Sequence, residues 1–199
     1  MIYAVAVWAG LRLTDWIGAN VKSFVKELLI TSIYILGALF AAFLIVRFIG
    51  IRTEVHGNSM NDTLINGENL IVDKVSYRFN NPERFDIVVF PYRHNQSIHY
   101  IKRVIGLPGE TVFIDGEGNI YINEVLLIES YGREIIYDAG RASQGITLGV
   151  DEYFVLGDNR NNSSDSRDPA VGNIKRSELV GKAWVRIWPF SRLGFIRHQ

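Results

Sequence analysis

The side chains in this sequence that are best suited to catalysis are those of Ser59 and Lys102. A serine becomes a strong nucleophile when a neighbouring base removes its proton, and histidine is the usual base. The chain has 4 histidines, at positions 56, 94, 99 and 198. Ser59 follows Gly57 by two residues, but Asn61 stands where a nucleophile elbow requires its second glycine. His56 and His99 are therefore interpreted as surface or strand residues, and a Ser-His-Asp triad is not supported.

Metal and cofactor chemistry has little support in the sequence. Cysteine is absent, which excludes disulfides, thiolate catalysis and cysteine-based zinc sites. No His-Glu-x-x-His motif is present, and no histidine pair has the spacing of metal ligands. The loop at 115–119 carries two carboxylates, but Ile120 occupies the position where a calcium loop requires glycine. We therefore expect no metal and no cofactor.

Lysine is the other side chain that can activate a serine, provided that it is uncharged. Lys102 lies in the segment Ile98–Ile105, where strand alternation places it on one face with Ile98, Tyr100 and Val104. Apolar burial lowers the pKa of a lysine, and a shift from about 10.4 to near 7 requires roughly 4–5 kcal/mol. Taken alone, the strand favours a plainer interpretation, a lysine at a sheet edge with its ammonium group in water.

Residues 28–46 contain no charged side chain and predict a transmembrane helix. Such a run rises roughly 28 Å as a helix, about the thickness of a bilayer core. A buried core helix is one alternative, although a soluble helix of this length normally shows a polar face. A cleaved signal peptide is the other, but the run starts late and lacks a small-x-small site before Arg47. The anchor is therefore expected to remain in the mature protein.

Positive charges on either side of the span favour a cytoplasmic N-terminus. Arg12, Lys22 and Lys26 precede the span, whereas Arg47 and Arg52 follow it. The excess is small, but it has the sign that the positive-inside rule associates with the cytoplasmic side.

These observations divide the chain into three expected regions. Residues 1–27 form a cytoplasmic N-terminal segment, residues 28–46 span the membrane, and residues 50–199 form an extracytoplasmic domain. Within the first region, residues 14–27 predict an amphipathic helix that leads into the span. Residues 2–11 are apolar but too short to cross, and they are placed at the membrane interface.

After the span the sequence changes to short β-like runs separated by turn residues, which predicts a mainly β domain with a sheet or small barrel. The predicted strands are Leu70–Val75, Asp86–Phe90, Ile98–Ile105, Thr111–Asp115, Ile120–Asn123, Glu152–Gly157 and Lys182–Trp188. Residues 124–150 show no clear periodicity and are interpreted as an inserted lobe or long hairpin. Basic and acidic residues balance at 21 each, so the charge gives no case for nucleic-acid binding.

Several motifs occur in one order along the chain: Gly57–Leu64 (GNSMNDTL), Arg84–Phe90 (RFDIVVF), Tyr100–Glu110 (YIKRVIGLPGE) and Gly157–Arg167 (GDNRNNSSDSR). In order and spacing this set resembles the type I signal peptidases, the bacterial leader peptidases. The resemblance covers nearly the whole chain from the apolar run onward. The single span and compact domain are similar to the shorter form typical of Gram-positive bacteria. The resemblance implies a signal-peptidase-like β domain built from antiparallel sheets.

The resemblance also implies a Ser/Lys dyad, with Ser59 as the nucleophile and Lys102 as its general base. Some members of the family add a hydroxyl donor at the position of Gly57, which glycine cannot supply. The family usually has proline where this chain has Asp62, so the loop geometry is expected to differ there.

Supporting residues follow from the same resemblance. Ser163 is expected to orient the lysine through a hydrogen bond. Asp158 is expected to pair with Arg103 on the face opposite Lys102, and Asp165 is expected to pair with Arg167.

The implied substrates are the signal peptides of exported preproteins, and the implied partners are the lipid bilayer and the export translocon. Shallow apolar pockets for small substrate side chains are assigned to Val55, Met60, Leu64, Tyr100 and Ile101. Near the C-terminus, Trp184, Trp188, Pro189 and Phe190 are expected either to enter the headgroup region or to pack in the core.

Two alternatives remain in view. Self-cleaving repressors share the Ser-Lys fold but carry a DNA-binding module where this chain has an apolar span. A non-catalytic or pilus-assembly-dedicated membrane-anchored relative would be expected to lack Ser59 or Lys102, and both are present.

Overall fold

The computed structural model describes residues 2–132 and 134–198, together with the side chains of these residues apart from 2–20 and 45–49. The chain divides into two compact units, Met1–Arg47 and Phe48–Gln199.

The first unit is formed by a single long helix, α1, which spans Ile2–Ile49. The predicted helix at 28–46 is thus present, and it continues without a break through residues 2–27, so the predicted lead-in helix at 14–27 is part of α1. No proline interrupts residues 2–49, and a helix satisfies its own backbone hydrogen bonds, so nothing in this stretch ends it early. Residues Val21–Leu44 have a mean hydropathy of 2.0 and none of their side chains is buried, which does not fit the alternative of a buried core helix.

The second unit is mainly β and contains two antiparallel sheets. The strands are β1 (Gly50–Glu54), β2 (Asn69–Asp73), β3 (Ile87–Tyr92), β4 (Asn95–Gly106), β5 (Thr111–Ile114), β6 (Ile120–Ile122), β7 (Val125–Leu126), β8 (Ile146–Thr147), β9 (Glu152–Leu156), β10 (Ile174–Lys175), β11 (Gly181–Trp188) and β12 (Gly194–Phe195). Besides α1, the α-helix assigned in the described residues is α2, the single turn Ser76–Phe79.

The larger sheet has 8 strands in the order β1-β2-β11-β3-β4-β9-β10, with β12 paired to β11. The smaller sheet has 4 strands in the order β7-β6-β5-β8. The larger sheet is open, since β1 and β10 lie at its two ends, so the antiparallel sheets were predicted correctly and the closed barrel is not formed. Each predicted strand is present within a few residues, whereas β1 and the two-residue strands β7, β8, β10 and β12 were not predicted.

Strand β4 lies inside the larger sheet, with apolar clusters packed against it. Val88, Phe90, Val104 and Val155 belong to one buried cluster, against which Tyr100 packs. A second cluster contains Val55, Met60, Leu64, Leu70, Ile87, Ala183 and Ile196, with Ile101 against it. A third joins the two sheets through Phe85, Ile105, Leu156 and residues of β5 and β6. The chemistry expected of Lys102 is therefore carried by a central strand of the core.

The aromatic residues near the C-terminus are exposed. Trp184 and Trp188 are 42% and 49% exposed, and Phe190 is 73% exposed. Trp188 contacts Phe190, and Trp184 contacts Phe195, so these side chains pack against each other on the surface. Of the two alternatives for this region, core packing is therefore wrong.

Candidate active site

Ser59 lies in the turn that follows β1. The backbone on either side of this turn is fixed, because Val55 donates its N–H to the Glu68 carbonyl at 2.8 Å and Gly67 donates to the Val55 carbonyl at 2.8 Å. Gly57 has a φ of 86°, a conformation that favours glycine, and its N–H donates to Asn66 Oδ1 at 2.8 Å. The serine itself is half-buried at the edge of a cavity.

Lys102 reaches Ser59 from β4. Its Nζ atom lies 2.8 Å from Ser59 Oγ, within hydrogen-bond distance, and 3.0 Å from the Ile101 carbonyl oxygen, to which it donates. The ring of Tyr100 lies beneath the amine, with its centroid 5.0 Å from Nζ. The two residues predicted to act together are thus brought into direct contact, although they are 43 positions apart in the chain.

Lys102 is not the edge lysine that its strand alone suggested. It is only 3% exposed, and its residue position on β4 pairs with Val88 of the neighbouring strand. Burial lowers the pKa of Lys102 from its ordinary value of 10.5 to about 8, while the carboxylates of Asp165 and Asp158 act in the opposite direction. About one tenth of this amine is therefore uncharged at pH 7, far more than of an ordinary lysine, and an uncharged amine can accept a proton.

Arg103 and Asp158 form a buried ion pair behind the dyad. Nε and Nη2 of Arg103 donate to the two carboxylate oxygens of Asp158 at 2.8 and 2.7 Å, and both side chains are fully buried. Thr63 Oγ1 also donates to Asp158, at 2.6 Å. The predicted pairing of these two residues is present in the structure, and it links β4 to the loop at 157–167.

Asp165 and Arg167 form a second buried pair inside that loop. Arg167 Nε and Nη2 each donate to Asp165 at 2.9 Å. The Oδ2 atom of the same carboxylate also accepts the Gly157 N–H at 3.1 Å. This pairing also agrees with the expectation, and its effect is to hold the loop in a tight conformation beside Ser59.

Gly157 occupies a position where a side chain does not fit. A Cβ on this residue would lie 2.2 Å from Ser163 Oγ and 2.5 Å from the Ser59 carbonyl oxygen. The glycine therefore lets the loop approach Ser59 closely, and Asn159 donates its N–H to the Ser59 carbonyl at 3.0 Å.

Ser163 lies beside the dyad, but the predicted hydrogen bond to Lys102 is not formed. Its Oγ atom is buried and has no hydrogen-bond partner within residues 2–132 and 134–198. The Lys102 amine instead uses Ser59 and the Ile101 carbonyl. A sequence pattern places Ser163 in the right loop, but the rotamer of a hydroxyl depends on the packing around it.

A cavity of about 200 Å³ opens beside the dyad and includes most of the residues assigned to substrate pockets. It is lined by Thr53, Glu54, Val55, His56, Gly57, Ser59, Met60, Val89, His99, Tyr100, Ile101, Lys102 and Ser164. Leu64 was assigned to this group but has no exposed surface and packs in the core with Met60, so its assignment was wrong. The turn after Met60 directs Leu64 inward, because the Leu64 N–H donates to the Met60 carbonyl at 2.8 Å.

Sequence reasoning missed the polar rim of this cavity. Glu54, His56, His99 and Ser164 line it but were not assigned to it. His99 and Tyr100 point to opposite faces in an ideal strand, yet both line the cavity. Adjacency in sequence to Val55, Tyr100 and Ser163 was the signal that could have identified these residues.

No cluster of three or more metal-binding side chains occurs in the part of the chain that the structure describes.

Comparison with known proteins connects this geometry to a family. The family model described as "Signal peptidase, peptidase S26" matches residues 26–188, which include both members of the dyad and all of the supporting residues. The chain belongs to this signal peptidase family. The signal peptidase I of Leptolyngbya laminosa is 43% identical over 75% of this chain and 77% of its own length. The signal peptidase I P of Bacillus subtilis subsp. natto is 34% identical over 90% of this chain and 94% of its own length.

A solved structure is also similar to this member of the signal peptidase family. The signal peptidase I of Enterococcus faecalis is 38% identical, and the match covers 52% of this chain and 97% of that chain with a TM-score of 0.43.

We predict that Gly157→Ala destabilises the domain by about 1–3 kcal/mol, because the added methyl group must displace the Ser59 backbone and Ser163. Gly116→Ala is the matched control, since nothing lies within 4 Å of its Cβ position. Urea unfolding of both detergent-solubilised variants measures the effect. Equal midpoints for the two variants would contradict the close approach of the loop to Ser59.

Proposed function

We propose that this protein is a membrane-bound serine endopeptidase that hydrolyses the bond between a signal peptide and the exported preprotein that carries it. Membership of the signal peptidase family supports the reaction class. The observation that carries the proposal is the 2.8 Å contact between Ser59 Oγ and the buried amine of Lys102. The serine has a hydroxyl proton to give, and the lysine, when neutral, can accept it.

In the proposed reaction, neutral Lys102 accepts the Ser59 hydroxyl proton as Oγ attacks the scissile carbonyl carbon. The lysine, now an ammonium, gives the proton to the departing amine of the mature protein, and the signal peptide remains as an ester on Ser59. Lys102 then removes a proton from a water molecule that attacks this ester. Ser59 leaves with that proton and regains its hydroxyl, which restores the starting state.

The negative charge on the carbonyl oxygen needs hydrogen-bond donors in both steps. The Ser59 N–H is a candidate, because it makes no backbone hydrogen bond to any other described residue. Gly57 lines the same cavity without a side chain. We infer that backbone groups or water supply the remaining stabilisation that a hydroxyl provides in other members of the family.

Substrate is proposed to bind as an extended strand along β4. β9 pairs with β4 only from Arg103 onward, so the edge of β4 before that residue has no strand partner on this side in the described chain. An extended peptide can add to such an edge through backbone hydrogen bonds while its alternate side chains enter pockets. Val55, Met60, Tyr100 and Ile101 line a small cavity there, which favours small side chains near the cut.

The bilayer is proposed to be a partner of both units. The apolar stretch Val21–Leu44 has the length and composition of a membrane span. The exposed Trp184 and Trp188 have the amphipathic rings that suit the headgroup region, and the exposed apolar rings of Phe195 and Phe190 lie against them. We propose a cytoplasmic segment at 1–27, a span at 28–46, an extracytoplasmic catalytic domain at 50–199, and delivery of substrates by the export translocon.

We predict that Ser59→Ala and Lys102→Met each lower preprotein cleavage by more than ~10³-fold, because the nucleophile and the base act as one unit. The assay uses detergent-solubilised full-length chain and a preprotein with a signal peptide. Ser177→Ala and Lys175→Met are matched controls at exposed positions and should cleave like the parent. Full activity in either dyad variant would exclude this mechanism.

We predict that kcat/KM rises about tenfold per pH unit below pH 8 and levels off above it. The direction follows from the lowered pKa of Lys102, about 8, because only the neutral amine can take the serine proton and the neutral fraction increases as pH rises. The measurement is the initial rate of peptide cleavage between pH 5 and pH 10. A rate that is flat across this range would mean that Lys102 is not the base.

We predict that cysteine at position 177 is labelled by a membrane-impermeant maleimide in intact cells, whereas cysteine at position 20 is labelled only after permeabilisation. The natural chain has 0 cysteines, so Ser177→Cys and Asn20→Cys each introduce a single reactive site without background. The opposite labelling pattern would reverse the proposed orientation.

A further inference from the structure

Residues 129–132, here called the strap, lie against Arg103, which follows Lys102 on β4, and against Arg160 in the loop at 157–167. Glu129 pairs with Arg160, and the ring of Tyr131 covers the guanidinium of Arg103. The backbone of Gly132 also approaches Arg160, since a Cβ on this glycine would lie 3.3 Å from Arg160 Cζ. Building on the proposed function, we propose that the strap is a positioning element for the reaction, in which Tyr131 and Glu129 hold the loop at 157–167 against β4.

Tyr131 is fixed over Arg103 from several directions. The guanidinium carbon lies 3.7 Å from the ring centroid, and Arg103 is fully buried. The Tyr131 hydroxyl donates to the His198 carbonyl at 2.9 Å, and its ring contacts Phe85 at a centroid distance of 5.2 Å. An aromatic face attracts a cation, and the attraction is stronger where water is excluded. Tyr131 therefore holds Arg103 in one orientation and keeps it dry.

A continuous set of contacts leads from Arg103 to the dyad. Arg103 follows Lys102 on β4 and binds Asp158 through two hydrogen bonds. The next residue, Asn159, donates its N–H to the Ser59 carbonyl and its side-chain amide to the Asn58 carbonyl, both at 3.0 Å. The pair of Arg103 and Asp158 thus joins the strand that carries the base to the loop that holds the nucleophile.

Glu129 acts on the same loop at a second point. Arg160 is 2% exposed, pairs with Glu129, and donates from Nε to the Gly157 carbonyl at 3.1 Å. The Arg160 carbonyl in turn accepts a hydrogen bond from Arg167 Nη2. Because Gly157 packs against the Ser59 backbone, a shift of Arg160 is transmitted to the nucleophile.

The strap also affects the charge around Lys102. Asp158 and Asp165 favour the ammonium form and raise the pKa of Lys102 against the effect of burial. Arg103 and Arg167 lie on these carboxylates and compensate them. The other charged or titratable groups around the amine line the cavity: Glu54, His56, His99 and Tyr100.

Loss of the Tyr131 ring admits water to Arg103 and weakens its compensation of Asp158. The pKa of Lys102 is then expected to rise, because the carboxylate attracts the ammonium more strongly. The acid side of the pH–rate profile should move to higher pH. A purely structural role for Tyr131 would leave the pH–rate profile of the folded molecules unchanged, so this shift distinguishes the two roles.

The experiment compares Tyr131→Leu, Tyr131→Phe and Glu129→Gln in the full-length, detergent-solubilised chain with a preprotein substrate. Tyr131→Leu is expected to lower kcat about tenfold with little change in KM, since small displacements of reacting groups have effects of this order. It should also move the acid limb upward by about half a pH unit. Tyr131→Phe keeps the ring over Arg103 and should have the parent's kcat and the parent's acid limb.

Glu129→Gln keeps the size of the side chain and is expected to lower kcat without a change in KM, even if Tyr131→Leu fails to fold. Tyr137→Leu is the matched control, because Tyr137 is 80% exposed and should behave like the parent. Unfolding by tryptophan fluorescence gives the folded fraction of each variant. The inference is overturned if Tyr131→Leu has a lower Tm than the parent but the same kcat per folded molecule. If Tyr131→Leu does not fold, the same comparison is made with Glu129→Gln. A parent that cleaves no preprotein would overturn the proposed function and this inference together, whereas normal parental cleavage isolates the strap.

Discussion

The whole domain is organised around an amine that is kept out of water. Lowering the pKa of Lys102 from 10.5 to about 8 is equivalent to roughly 3 kcal/mol of unfavourable interaction with its charged form. At neutral pH Lys102 is almost fully protonated in the unfolded chain, so its burial makes the free energy of folding less favourable by an amount of that order. The apolar clusters on β3, β4 and β9 must offset it, which explains why Lys102 lies on an interior strand.

Buried ion pairs make this arrangement possible. Two carboxylates near the dyad, Asp158 and Asp165, would by themselves favour the ammonium form. Each is bound by an arginine within hydrogen-bond distance, and their fields are thereby reduced at Lys102. Buried ion pairs contribute little net stability, because desolvation opposes their attraction, but they penalise any other arrangement of the chain. Here they fix the position of the loop at 157–167 relative to β4.

Small residues are as important as charged ones near the nucleophile. Gly57 adopts a left-handed conformation before Ser59, and Gly157 leaves space for the Ser59 backbone. The two glycines allow the turn after β1 and the loop at 157–167 to approach within hydrogen-bond distance of each other. Side chains from the strap close the opposite side of Arg103, so the dyad is supported from elements that are distant in sequence.

The sequence by itself determined the apolar span, the β character of the domain and the resemblance to one family. Hydrophobic runs and period-two alternation are local, so the apolar run at 28–46 and the strands with clear β-like runs could be recognised without a fold. Two-residue strands such as β7 and β12 carry too few side chains to show a period. The motif order pointed to Ser59 and Lys102 as the candidate nucleophile and base, because an uncharged lysine is able to take the proton of a serine.

Only the tertiary structure decided whether Lys102 is buried and what each neighbour does. Strand alternation leaves a lysine's environment open, and it was the packing of other elements around β4 that left Lys102 only 3% exposed. Leu64 was assigned to the cavity and lies in the core, and Ser163 lies beside the dyad without the expected hydrogen bond. Tyr131 stood in a stretch without any pattern, because a ring that covers an arginine is defined by packing in three dimensions and not by spacing along the chain.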